Sequence, residues 1–281
     1  MSGTPETRRL RETREMRETL DVSETPETPE VPEARDAFAR LVLDTMHEES
    51  KLGLTLGFVR TFGIPGIAEV LAGTGRMTGD PRTRTKATGA AMFTLIGRGV
   101  ASPEGRRVVE GLRRIHDRPD ITPDQMRYVL ACFTVCPLRF IDDHGHRAVT
   151  AEERDAAYAF HVSLSDALGL PEGGSEGGSG SGNGADAGLA GVERWMRAYE
   201  SRHFAPSPEG GALWAAASKG LLGRRLPRPL AGLAPVVAAS LLDAPLRAAL
   251  HVRRAPAPVR GLVTLALRAQ ARKGRQRPAA A

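Results

Sequence analysis

The sequence predicts an all-α fold, and three observations carry that expectation. Apolar residues recur at helical spacing through most of the chain, no stretch alternates with the period of a strand, and helix start and stop signals bound the apolar runs. With 281 residues and 41% hydrophobic content, the chain can bury a substantial core. It divides into a disordered leader (1–31), one multi-helix domain (32–252) with a flexible Gly/Ser-rich insertion at 172–191, and a basic C-terminal helix and tail (253–281).

The leader is Thr, Glu, Arg and Pro with almost nothing to bury, so it resists compaction. After Pro32 a first helix places Phe38, Leu41, Val42 and Met46 on one face; its His47, beside Glu48 and Glu49, reads as exposed. From Leu52 to Ala72 the chain is nearly free of charge apart from Arg60 and Glu69, and Gly63-Ile64-Pro65 breaks what would otherwise be one long helix. After a polar loop, a helix from about Arg84 to Gly99 turns Ala87, Ala91, Leu95 and Ile96 inward. The next carries Val108, Val109, Leu112 and Ile115 toward His116. Thr122-Pro123-Asp124-Gln125 combines an N-cap, a proline at the first helical position and a capping-box glutamine. The helix they start should be central, because Tyr128, Val129, Leu130, Cys132, Phe133 and Val135 surround it, and Pro137 should kink or end it. A second capping box, Thr150 to Glu153, opens a helix to Leu168 that Gly169 and Pro171 close; His161 lies on its apolar face. Nine glycines between Glu172 and Gly191 make a coil. Helical patterns resume near Leu189, at Leu213–Leu222 and across Leu230–Leu250. The last segment, Val259 to about Lys273, mixes Leu262, Val263, Leu265 and Leu267 with arginines; it suits packing on the body or lying on an anionic bilayer surface.

The formal net charge of +6 is concentrated at the end, since eight Lys or Arg and no acid lie from Arg253 onward. Without those eight, 31 basic residues face 33 acidic ones, so the body presents no electrostatic footprint for a phosphate backbone and no nucleic-acid partner is expected. Cys132 and Cys136 are the only cysteines, four apart in one helix, which suits two reduced side chains better than a disulfide. An intracellular, cytoplasmic protein is the simplest inference, with the C-terminal basic helix offering a peripheral membrane contact. Arg8 and Arg9 are followed by acids and prolines rather than an apolar export segment.

Three places could carry chemistry. His116 faces inward on a helix crowded with Arg106, Arg107, Arg113 and Arg114, which suits a metal or a cofactor bearing carboxylates. On periodicity alone, a hydrogen-bonded core histidine beside a solvated basic face is the better reading. Glu69, a carboxylate in an apolar segment, could have a raised pKa and serve as a base, against the commoner outcome of a surface glutamate. Asp142-Asp143-His144-Gly145-His146 has metal-ligating residue types, but a polar turn after a helix end accounts for it better.

The order of features resembles one family. Phe62-Gly63-Ile64-Pro65-Gly66-Ile67-Ala68, Thr74-Gly75, Arg84-x-x-x-Thr88, Arg114-Ile115-His116 and Ile121 to Tyr128 follow one another as in the family of the mycophenolic-acid-pathway oxygenase MpaB and the latex-clearing rubber oxygenase. The likeness continues through Pro137-Leu138-Arg139-Phe140-Ile141, Gly145-His146-Arg147, Thr150-x-x-Glu153, Trp195 to Glu200, Leu241-Leu242-Asp243 and Leu246-Arg247-x-x-Leu250, covering about 52–250.

The resemblance implies an all-helical domain enclosing a haem b pocket, with the iron held by His116, and it turns the balance for that residue. Arg84 and Thr88 fall on the family's element beside the haem, and Arg113, Arg114 and Arg147 become candidates to pair with propionates. Glu69 and Arg84 become candidates for the open side of the iron, as base and as anchor or charge stabiliser. The implied partners are dioxygen and an apolar, isoprenoid-like small molecule, for oxidative C=C cleavage or oxygenation. Where rubber-cleaving members place a lysine that can occupy the iron's distal position, this chain has Ala87, and His146 replaces an aromatic before the arginine. Gating by that lysine is therefore not expected, and these departures, with the absence of the rubber enzymes' export signal, argue against a polymer substrate. A haem- or apolar-ligand-binding protein without turnover, and a helical nucleic-acid binder using the basic tail, are the alternatives.

Overall fold

A computed structural model describes residues 36–75, 81–170, 188–222 and 232–275. The leader (1–31) and most of the 172–191 insertion lie outside the described residues. Among those described there are twelve α-helices and no strand, the all-α architecture expected. A short α1 (Ala37–Arg40) runs into a π turn (Leu41–Thr45) and breaks at Met46 before α2 (His47–Arg60). Phe38, Leu41, Val42 and Met46 are all buried, so the break leaves the predicted apolar face intact. At Gly63-Ile64-Pro65 the chain turns by 104°, and α3 (Pro65–Gly73) starts with the proline at its first position.

Helices α4 (Pro81–Arg98) and α5 (Pro103–His116) form a pair beside this corner. The central element is α6 (Pro123–His144), opened by the Thr122/Gln125 capping box. It continues through Pro137 for two further turns, where the sequence predicts a kink or an end. Proline removes one N–H from the helix ladder, but α2 backs directly onto that point: a Cβ on Gly53 would overlap Pro137 Cα, and one on Gly57 would lie 2.7 Å from the Cys132 carbonyl oxygen. With glycines four apart, the two backbones close to contact, and this packing carries α6 past its proline.

Thr150 and Glu153 cap α7 (Ala151–Leu168) reciprocally, and Gly169 ends it in the left-handed conformation at φ 69°. Then come α8 (Leu189–His203) and α9 (Pro208–Leu222). The apolar run read as one helix across Leu230–Leu250 is two short ones, α10 (Ala234–Ala239) and α11 (Ala244–Ala249). Asp243 caps α11 by accepting from the Leu246 N–H at 3.1 Å, and Pro245 fits only near a helix start, so the chain restarts there. The last helix, α12 (Ala257–Arg275), packs against α6 and α10. Among the described residues no single helix is long and apolar enough to cross a membrane.

Candidate functional site

Six helices leave a cavity of about 360 Å³ between them, within the range of small-molecule sites. Each contributes a stripe at helical spacing. From α3 come Ile67, Val70, Leu71 and Thr74; from α4, Ala87, Thr88, Ala91 and Met92; from α5, Val108, Gly111, Leu112, Ile115 and His116. The α6 stripe is Gln125, Met126, Val129, Leu130 and Phe133, with Phe58 of α2 and Leu164 and Leu168 of α7 completing the walls. Arg114, Asp117, Arg118 and Ile121 join the lining where α5 ends.

His116 is half-buried at the last position of α5, and its Nδ1 lies 2.7 Å from the Leu112 carbonyl oxygen. A carbonyl oxygen can only accept, so the proton sits on Nδ1 and the lone pair of the neutral ring is on Nε2. The helix thus fixes both the tautomer and the orientation of the imidazole, as the second partner of a metal-bound histidine does. Among the described residues no group of three or more His, Cys, Asp or Glu could hold a bare metal ion. Among the described residues His116 is the imidazole on the cavity lining.

The structure gathers His116, Thr88 and Arg114 around one space. Arg84 belongs to α4, but its side chain is outside the described residues. Three further expectations are corrected. Glu69 is exposed: Ile67, Val70, Leu71 and Thr74 set the cavity face of α3, and a residue two positions after Ile67 points the other way. Arg147 lies outside the cavity, its guanidinium donating to both oxygens of Glu153 at 2.8 and 2.6 Å and to the Ala148 carbonyl at 2.9 Å. This pairing anchors the first turn of α7, and the hydrogen bond from Arg147 is the main reason the Glu153 carboxyl titrates below its ordinary range. Arg113 is exposed and reaches toward Gly169, where the carbonyl end of α7 favours a cation.

Asp142, Asp143 and His144 form the last turn of α6, and the turn expected there is confined to Gly145 and His146. Asp142 accepts from the Val149 N–H at 2.9 Å and from Arg154 at 2.6 Å, tying the end of α6 to α7. His161 is buried and lies 3.2 Å from the Thr134 hydroxyl; burial first, and the charge of Arg127 second, pull its pKa down to about 4.

A second polar assembly went unassigned in the sequence. Arg60, at the end of α2, donates to both carboxylate oxygens of Glu200, with the Nη2 bond at 2.6 Å, and to Asp243 at 2.7 Å; the Tyr128 hydroxyl donates to Glu200 at 3.0 Å. Arg60, Tyr128 and Glu200 are all buried. Burial disfavours the charged guanidinium, yet the hydrogen bond and charge of Glu200, with lesser help from Cys136 and Asp243, hold its pKa above the ordinary value. Trp195 and Tyr199 stack behind this cluster, and Arg127 lies over the Trp195 ring at 4.2 Å. The Trp195–Glu200 and Leu241–Asp243 stretches thus hold the fold together around Arg60. Only the isolation of that arginine in an apolar run hinted at it.

The family model described as "ER-bound oxygenase mpaB/B'/Rubber oxygenase, catalytic domain" matches residues 47–272. The chain is similar to the ER-bound oxygenase mpaB of Penicillium brevicompactum, 30% identical over 62% of this chain and 46% of that protein. It is also similar to mpaB' of the same organism, 31% identical over 53% of this chain and 37% of that protein, and to mpaB of Penicillium roqueforti, 30% identical over 53% and 52%. The chain thus spans about half the length, or less, of these curated relatives. No solved structure matches it significantly.

Proposed function

This chain belongs to the mpaB and rubber oxygenase catalytic-domain family, and from that premise we propose that it is a haem b-dependent oxygenase acting with dioxygen on an apolar, isoprenoid-type alkene. The observation that carries the reading is His116 on the wall of an apolar cavity, its Nδ1–H donating to the Leu112 carbonyl. That donor set suits haem: His116 would hold the iron through Nε2 of one oriented imidazole, and the macrocycle would bring the remaining donors. Arg114, exposed on the lining, provides a guanidinium for a propionate. Bound there, haem b would supply the redox chemistry with dioxygen that no side chain offers.

The chain's own residues do the rest. The Leu112 carbonyl orients the imidazole on the cavity wall. Ile67, Leu71, Met92, Val129 and Phe133 exclude water and give an alkene a surface to lie on. The small side chain at Ala87 leaves the α4 wall open. Splitting one C=C bond with one dioxygen into two carbonyl products balances without an external reductant.

The test is spectroscopic. Protein expressed with ample haem should show a Soret band, and His116→Ala should lose or strongly shift it with an unchanged far-UV circular dichroism spectrum. Dioxygen uptake should depend on an added isoprenoid alkene. A colourless protein, or a His116→Ala variant whose Soret band matches the parent's, overturns the proposal.

A further inference from the structure

Helix α12 is apolar on two opposite sides. Val263, Leu267 and Ala271 lie along the side turned to the body, where Ala271 is fully buried and the other two are half-buried. Leu262, Leu265, Ala266 and Ala269, spaced i, i+3, i+4 and i+7, form a stripe on the other side, and all four are exposed. A helix docked by one face needs polar residues on the other. Here the outer leucines are 68% and 67% exposed. Among the described residues the other exposed large apolar side chain is Leu233, at 51%, on the turn leading into α10, and α10 packs against α12.

The charge around the stripe has one sign. Arg268 and Arg272 flank it, Arg253 and Arg254 precede the helix, all four are exposed, and no acid occurs from Arg253 to the end of the chain. We propose that the outer face of α12 is a docking surface for an anionic lipid bilayer, with Leu262 and Leu265 inserted at the headgroup boundary and the arginines paired with lipid phosphates. Leucines on one stripe with arginines at its edge are what an interfacial helix presents to such a surface. A second copy of the chain is the poorer occupant. It would set the same arginines against each other, and two leucines with two alanines fall well short of the roughly 1,000 Å² that a specific protein interface buries. The proposal is independent of the oxygenase reading.

The experiment is co-sedimentation of the full chain with vesicles of phosphatidylcholine containing about one-third phosphatidylglycerol, beside vesicles of phosphatidylcholine alone. The chain should partition onto the anionic vesicles at least ~10-fold more strongly, and raised salt should weaken that binding. Leu262→Glu with Leu265→Glu should lower it by at least ~10-fold. Their exposure predicts an unchanged melting temperature for that pair. Arg268→Glu with Arg272→Glu should abolish the preference for anionic lipid. Sedimentation of the leucine double variant at the parent's level overturns the proposal, as does equal binding to both vesicle types. A dimer seen by light scattering that disappears in the leucine variant would assign the face to a second copy instead.

Discussion

Along one side of α6, Cys132 and Pro137 press against Gly57 and Gly53 of α2, and Tyr128 reaches into the Arg60–Glu200 cluster. Along the other, Gln125, Met126, Val129, Leu130 and Phe133 face a cavity of about 360 Å³. Both sides are apolar and both are covered by helices, yet on the first the backbones touch, while on the second four further helices stand back. One helix can therefore serve as the strut of the fold and as the wall of a site, provided each task keeps to its own stripe. Substitutions at the two stripes should have effects of different size and kind.

The largest expected effect is on the strut. In Gly57→Val the new side chain must displace the Cys132 carbonyl, which is backbone and cannot swing away, so a loss above ~4 kcal/mol and no cooperative thermal transition are expected. Circular dichroism melts against the parent check this; a native-like melt would mean that α2 and α6 can part without cost. Next comes Arg60→Met, which leaves Glu200 buried and Asp243 half-buried without their cation and should cost ~3–5 kcal/mol in urea denaturation.

Acid should weaken the molecule from the α7 side. His161 binds its proton at about 4 in the folded state against an ordinary 6.5, so between those values the unfolded chain holds the proton and the folded one does not. Stability is then complete above pH 6.5, falls as the pH drops toward 4 and levels off below, with a contribution on the order of 3 kcal/mol. Denaturant midpoints across that window should slope downward with acid, and His161→Phe should flatten the slope.

The sharpest comparison is the smallest in energy. Val135, 1% exposed on the α6 side away from the cavity, and Val129, on the cavity stripe, are six residues apart on one helix. Val135→Ala should cost ~2 kcal/mol by opening a void in a packed interior, and Val129→Ala under ~1 kcal/mol because it only enlarges a space already there. Equal losses would mean the two stripes are packed alike; a change in preferred alkene length is expected for Val129→Ala alone.

The elements were legible where a local chemical signal fixed them. Thr122/Gln125 and Thr150/Glu153 both close as capping boxes, Gly169 takes the positive φ that ends α7, and Gly63-Ile64-Pro65 turns the chain. Periodicity made His116 legible as an inward-facing residue, and only the family resemblance put it in a pocket, because periodicity reports which face leaves water and not whether protein or empty space meets it. For the same reason Phe133 and Val129 read as core. Glu69 and Arg147 misled because a carboxylate's or guanidinium's role depends on neighbours distant in sequence: a two-residue offset on α3 turned one outward, and Glu153 took the other. Asp243 was hidden within an apolar run, since its partner, Arg60, lies 183 residues earlier.

That separation has a consequence in time. Synthesis at roughly 5–20 residues per second takes roughly 10–40 s to travel 183 residues, so Arg60 leaves the ribosome long before Asp243 exists. Every residue lining the cavity lies between Phe58 and Leu168, ahead of both Glu200 and Asp243. The residues of the chamber's walls are thus all synthesised before either carboxylate that ties Arg60 in place.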